Sequence, residues 1–189
     1  MRAMVLFLAL AVFLGSCTEL RATPEMVSPT SARADPEEIE RAEQDIYRFV
    51  ASQFCDEGVV YIHPEVALYP GYDSDIERAH SELPDMAPET WESYQLVNDP
   101  AQQVTPFSDF PVDCSYEFAS SNTQGCYTGE STCIAPYGFS QIGFDQAGTQ
   151  ALVYMYRDCS ECAGWGALFL LEKDDGVWRI IDSVELWFS

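Results

Sequence analysis

The chain is 189 residues long, nearly half of them hydrophobic, and carries 9 basic residues against 31 acidic ones for a formal net charge of −22. That length and apolar content suit one ordinary folded domain behind a leader and exclude a chain that is disordered throughout. The charge repels nucleic acid and anionic lipid surfaces, so neither is an expected partner; a solvated acidic surface is the plain reading, and a cation or cationic partner the functional one.

The chain begins Met1-Arg2 and then runs uncharged from Ala3 to Leu14. A permanent membrane span needs about 20 apolar residues, so this run suits the hydrophobic part of a secretory signal. It ends in Leu14-Gly15-Ser16-Cys17, which resembles the lipobox of bacterial lipoproteins. The resemblance implies cleavage before Cys17 and lipid on its thiol and amine, enough chains for stable membrane anchoring. A plain secretory signal would instead leave Cys17 as an ordinary seventh cysteine, an odd count for an oxidising compartment. Residues 1–16 therefore read as a lipoprotein signal peptide, and their loss leaves 8 basic residues against 31 acidic ones, a charge of −23. Thr18, where an Asp would hold a lipoprotein at the inner membrane, implies the outer membrane in a cell that has one. Residues 17–36, with three prolines and little apolar content, read as a lipidated flexible tether, and residues 37–189 as a single α+β domain.

Within that domain a helix is expected from Asp35. Asp35 suits the N-cap, Pro36 the first helical position, and Glu37 and Glu38 the positive end of the helix dipole. Ile39, Ala42, Ile46, Phe49, Val50 and Phe54 recur at helical spacing and form one apolar stripe. Val59 to Ile62 reads as a short strand. Residues 64–111 are irregular and rich in proline and acid; 88–97 reads as a short helix packing through Trp91, Tyr94 and Val97. So long a stretch should hold one further helix. Four strands follow, at 139–145, 150–157, 165–173 and 177–188, rich in branched and aromatic residues. Short connections, among them Asp174-Asp175-Gly176, make them an antiparallel meander. The second strand is apolar on both faces, with Leu152, Tyr154 and Tyr156 on one and Ala151, Val153 and Met155 on the other, and so should be central. In the last strand, Trp178, Ile180, Val184, Leu186 and Phe188 are expected to share one face. The expected architecture is an N-terminal helix packed on this four-strand meander.

Lipidation of Cys17 leaves Cys55, Cys114, Cys126, Cys133, Cys159 and Cys162. Cys159-Ser160-Glu161-Cys162 has the spacing of a redox dithiol or of half a zinc site. It lies between two strands, however, with no helix dipole to lower a thiolate pKa, and thiols in an exported chain tend to pair. The expected bonds are Cys159–Cys162, Cys126–Cys133 and, by elimination, Cys55–Cys114. His63, at a strand end before Pro64, is a candidate general base, although a lone hydrogen-bonded histidine is the simpler reading. Asp73-Ser74-Asp75 and Asp174-Asp175 lack the ligand ladder of a calcium loop. Tyr154, Tyr156, Trp165, Trp178 and Trp187 either line a concave sheet face or form core. Gly164-Trp165-Gly166 reads as a strand kink or bulge.

Gly143-Phe144, Thr149 to Tyr154, Gly164 and Gly166, Leu170 to Lys173, Gly176, Trp178 and Trp187 together resemble the C-terminal region of a group of uncharacterised bacterial lipoproteins. That group implies no activity. The last hairpin, Leu171 to Ile180, resembles that of nuclear-transport-factor-like, cystatin-type rolls, which implies a roll shared by enzymes and binding domains. No catalytic residue, cofactor or metal is assigned. The expected function is an envelope lipoprotein that binds a small ligand or an envelope protein. The alternatives are a periplasmic thiol-disulfide oxidoreductase using Cys159 and Cys162, and a roll-type enzyme with His63 as base.

Overall fold

The computed structural model describes residues 34–53, 55, 59–67, 73–101, 107, 109–111, 114–120, 125–126, 133–157 and 163–189, with 73–77, 125–126 and 133–134 as backbone. Cys17, Phe54, Cys159 and Cys162 lie outside the described residues.

The first helix, α1, spans Pro36–Ser52, and Asp35 caps it by accepting a hydrogen bond from the Glu37 amide at 2.9 Å. It is followed by β1 (Val60–Ile62), α2 (Asp73–Glu82), α3 (Pro88–Val97), β2 (Tyr116–Phe118), β3 (Gly125–Cys126) and β4 (Cys133–Ile134). The chain ends with β5 (Tyr137–Phe139), β6 (Gly143–Phe144), β7 (Gln150–Arg157), β8 (Trp165–Asp174) and β9 (Val177–Phe188). Helix α2 supplies the further helix expected in the middle of the chain.

The class is α+β: helices on a mixed, mostly antiparallel sheet of seven strands in the order β2-β1-β5-β7-β8-β9, with β6 also paired to β7. The meander is therefore embedded in a larger sheet than the expected four strands, because β1 and β2 add to β5 and run parallel to their neighbours. Parallel neighbours need long connections, and the helices between β1 and β2 provide one. The strand expected at 139–145 is broken into β5 and β6. At the break, the Ser140 hydroxyl accepts from the Tyr154 amide at 2.9 Å and donates to the Gln141 carbonyl at 2.8 Å.

The sheet is covered on both faces. On one, Ala42, Ile46 and Val50 of α1 pack with Val153, Met155, Leu171 and Trp178. On the other, Ala79, Leu83 and Tyr94 of the α2–α3 region pack with Leu152, Tyr154, Leu168 and Leu170. Central β7 thus buries both of its side-chain rows, as its two apolar faces require.

The expectation of one shared face along β9 is corrected. Leu170 faces Asp182 but Leu171 faces Ile180, so Ile181 stands unopposed as a bulge. An extra residue reverses the side-chain alternation. Trp178 and Ile180 consequently point into the α1 layer, whereas Val184 and Leu186 join the α2–α3 layer. A second register shift, at Gly166/Ala167, falls where the Gly164-Trp165-Gly166 pattern anticipates a bulge. The hairpin between β8 and β9 turns through Asp175 (φ 48°) and Gly176 (φ 83°), the positive-φ pair of a type I′ turn.

Candidate binding cleft

The site is positioned by the free side of β6. Strand β1 joins the sheet only at the far end of β5, through Ile62 opposite Tyr137. Among the described residues no strand continues the sheet beyond β6. Helix α3 covers this edge instead. Asn98 accepts from the Gln141 amide at 2.9 Å and donates to the Gln141 carbonyl at 3.0 Å, and the Ser93 hydroxyl accepts from the Phe144 amide at 3.2 Å. The approach is close enough that a Cβ on Gly143 would collide with the backbone of Tyr94. The start of α3 is held by a side chain from β7. Its N-cap, Ala87, has no side-chain acceptor for the first-turn amides, and buried Gln150 instead anchors the cap residue, accepting from the Ala87 amide at 2.6 Å and the Thr90 hydroxyl at 3.0 Å.

With α3 fixed there, a cleft of about 800 Å³ opens between α1, α3 and the 141–146 segment. Ile39, Leu96, Val97, Ile142 and Phe144 make its apolar surface, and Glu43, Glu89, Glu92 and Asp145 bring four carboxylates to its walls. Leu96 is 65% exposed, a large apolar side chain left facing solvent. A second cleft of about 480 Å³ shares Glu43 and Gln141 with the first and runs along α1 past Tyr47 to Arg48, Phe107 and Pro111. A third, of about 170 Å³, lies beside Arg41, Asp45 and Lys173.

Glu43 sits where the two larger clefts meet. Partial burial raises its pKa above the ordinary carboxylate value, and the neighbouring charge of Glu40 adds to the rise. Tyr47, one turn along, is raised well above the usual phenol range by its burial first, then by Glu43 and Tyr94. Its hydroxyl donates to the Ser140 carbonyl at 2.8 Å, tying α1 to the break between β5 and β6.

No protein-family model matches this chain, and no curated protein or solved structure matches it.

The residues singled out from the sequence are not gathered at this cleft. His63 lies at the end of β1, its ring stacked on Tyr156 at 5.6 Å, and it lines none of the three clefts above. The five aromatic residues do not form one surface. Tyr154, Tyr156 and Trp187 belong to the α2–α3 face, and Trp165 and Trp178 to the α1 face. The Trp187 indole donates to the Tyr154 hydroxyl at 2.8 Å, and burial pushes that phenol up to about 12 although the indole bond opposes the shift. Asp174 pairs with Arg179 at 3.2 Å. Cys55 and Cys114 are joined by a disulfide with a Cα–Cα distance of 5.7 Å. Cys126 of β3 stands directly opposite Cys133 of β4. Among the described residues, no cluster of three or more His, Cys, Asp or Glu could hold a metal ion.

The sequence reading missed the site-forming residues because their signals are weak. Glu43, Glu89 and Glu92 are three acids among 31. Gln150 and Asn98 are single polar residues whose partners are 63 and 43 positions away.

Proposed function

We propose that this chain is an exported lipoprotein, lipid-anchored to the cell envelope through Cys17, whose folded domain is a non-enzymatic binding module for a ligand or envelope protein. The observation that supports the binding role is the cleft between α1 and α3: its volume of about 800 Å³ gives room for a ligand, and its walls offer apolar side chains beside four carboxylates. The anchor is supported by the leader and by the lone cysteine after it. In the same reading, Cys126–Cys133 and Cys159–Cys162 are structural bonds. Residues directly opposite on antiparallel strands stand about 4.5–5.5 Å apart, within disulfide reach.

Two measurements test this. Intact-mass and peptide mass spectrometry of the membrane-extracted protein should find an acylated N-terminal Cys17 and paired remaining cysteines; an uncleaved leader or free thiols at 126 and 133 would refute the address or the pairing. For binding, a photo-crosslinking residue placed at Leu96 should capture a partner in cells that the same residue at Val177, exposed on β9, does not. Equal capture at both positions, or none at 96, counts against the cleft.

A further inference from the structure

We propose that the groove formed by the two larger clefts receives a basic amphipathic helix of a partner protein. This rests on the reading of the cleft as a binding site and specifies its occupant.

Three observations converge. First, the two clefts adjoin along α1, sharing Glu43 and Gln141. The groove's lining on α1 runs from Ile39 to Arg48, about 14 Å at 1.5 Å per residue, which matches between two and three turns of a docked helix. Second, its chemistry is amphipathic in the opposite sense to a basic helix. Exposed Leu96, with half-buried Ile39 and Val97 beside it and only the edges of buried Ile142 and Phe144 beneath, offers a seat for side chains at i, i+3, i+4 and i+7. Among the described residues, Glu43, Glu89 and Glu92 line the same groove against one cation, Arg48, which is already paired with Asp45. The chain's net charge of −22 draws a cationic partner toward this face from a distance.

Third, α3 occupies the edge along which a strand would add. An extended peptide binds a sheet edge through free N–H and C=O groups, and at this edge the Gln141 amide, the Gln141 carbonyl and the Phe144 amide are already bonded to Asn98 and Ser93. A partner entering an apolar groove without backbone bonds on offer must satisfy its own, and a helix does. Helix α3 therefore both builds the groove and selects the kind of segment that enters it.

The test uses the detergent-solubilised full chain and a fluorescein-labelled peptide of Leu and Lys at helical spacing, about 14 residues long. Anisotropy titration should show saturable binding. Glu89→Gln with Glu92→Gln, and separately Leu96→Asn, should each weaken it about tenfold or more. Asp174→Asn with Asp175→Asn, which removes as much charge at the β8–β9 turn from residues that line neither of the two clefts, should change it by less than about twofold. A peptide of the same composition with Leu and Lys strictly alternating should bind at least about tenfold more weakly. Circular dichroism melts establish that the variants fold. No binding, equal loss in the turn variant, or tighter binding of the alternating peptide overturns the proposal. If crosslinking at Leu96 still captures a partner when the helical peptide fails, the binding site stands and the helical occupant falls; failure of both removes both.

Discussion

At the scale of single residues, the molecule uses buried polar side chains to join segments far apart in sequence. Gln150 is 7% exposed and its amide reaches the start of α3 and the Asp85 carbonyl. Replacing it with Leu would keep the volume but orphan the Ala87 amide and Thr90, and urea unfolding should show a loss of about 1–3 kcal/mol. Gly166 is constrained differently. A Cβ there would run into the Trp187 indole and the Tyr154 hydroxyl, so Gly166→Ala should destabilise by about 1–3 kcal/mol through overpacking. Glu43 makes a pH-dependent prediction. Its folded pKa is raised, so the native state holds the proton more tightly than the unfolded chain. Stability from this residue is greatest at low pH and is lost as pH climbs through the raised value. Glu43→Gln should therefore raise the melting temperature at pH 7, with the difference shrinking toward pH 4; an unchanged or lowered melting temperature at pH 7 would contradict the assigned burial.

At the scale of elements, the sheet's edges are managed by packing rather than by sequence composition alone. Besides α3 on β6, the Arg78 guanidinium of α2 donates to the carbonyls of Glu185 and Leu186 on edge strand β9, at 3.0 and 3.1 Å. Together with the bulge at Ile181, this blunts one of the two ends of the sheet against pairing with another chain. The elements themselves differ in how readable they were. The α1 start, β7, β9 and the Asp175-Gly176 turn follow from caps, apolar patterning and turn chemistry within a dozen residues of chain. The break at Ser140 and the reversal at Ile181 do not. Ser140 interrupts the strand because its hydroxyl binds β7, and Ile181 looks like any strand residue until its register against β8 is known.

At the scale of the whole molecule, the Cys55–Cys114 bond spans 59 positions and ties the chain just past α1 to the segment entering β2. Closing so long a loop removes entropy from the unfolded chain, and replacing both cysteines with Ser should cost about 4 kcal/mol, read as a fall in the urea midpoint. A loss near zero would mean that this bond constrains little that the fold does not already hold. By itself, the sequence determined the α+β class, the capped first helix and the paired strands at the C-terminal end, because periodicity and turn preferences act between near neighbours. Only the tertiary structure decided that β1 and β2 extend the sheet in parallel, which face each half of β9 buries, and that α1 and α3 part to leave an apolar groove with acidic walls. Those outcomes depend on register and on contacts between residues many tens of positions apart, and no local pattern of side chains encodes them.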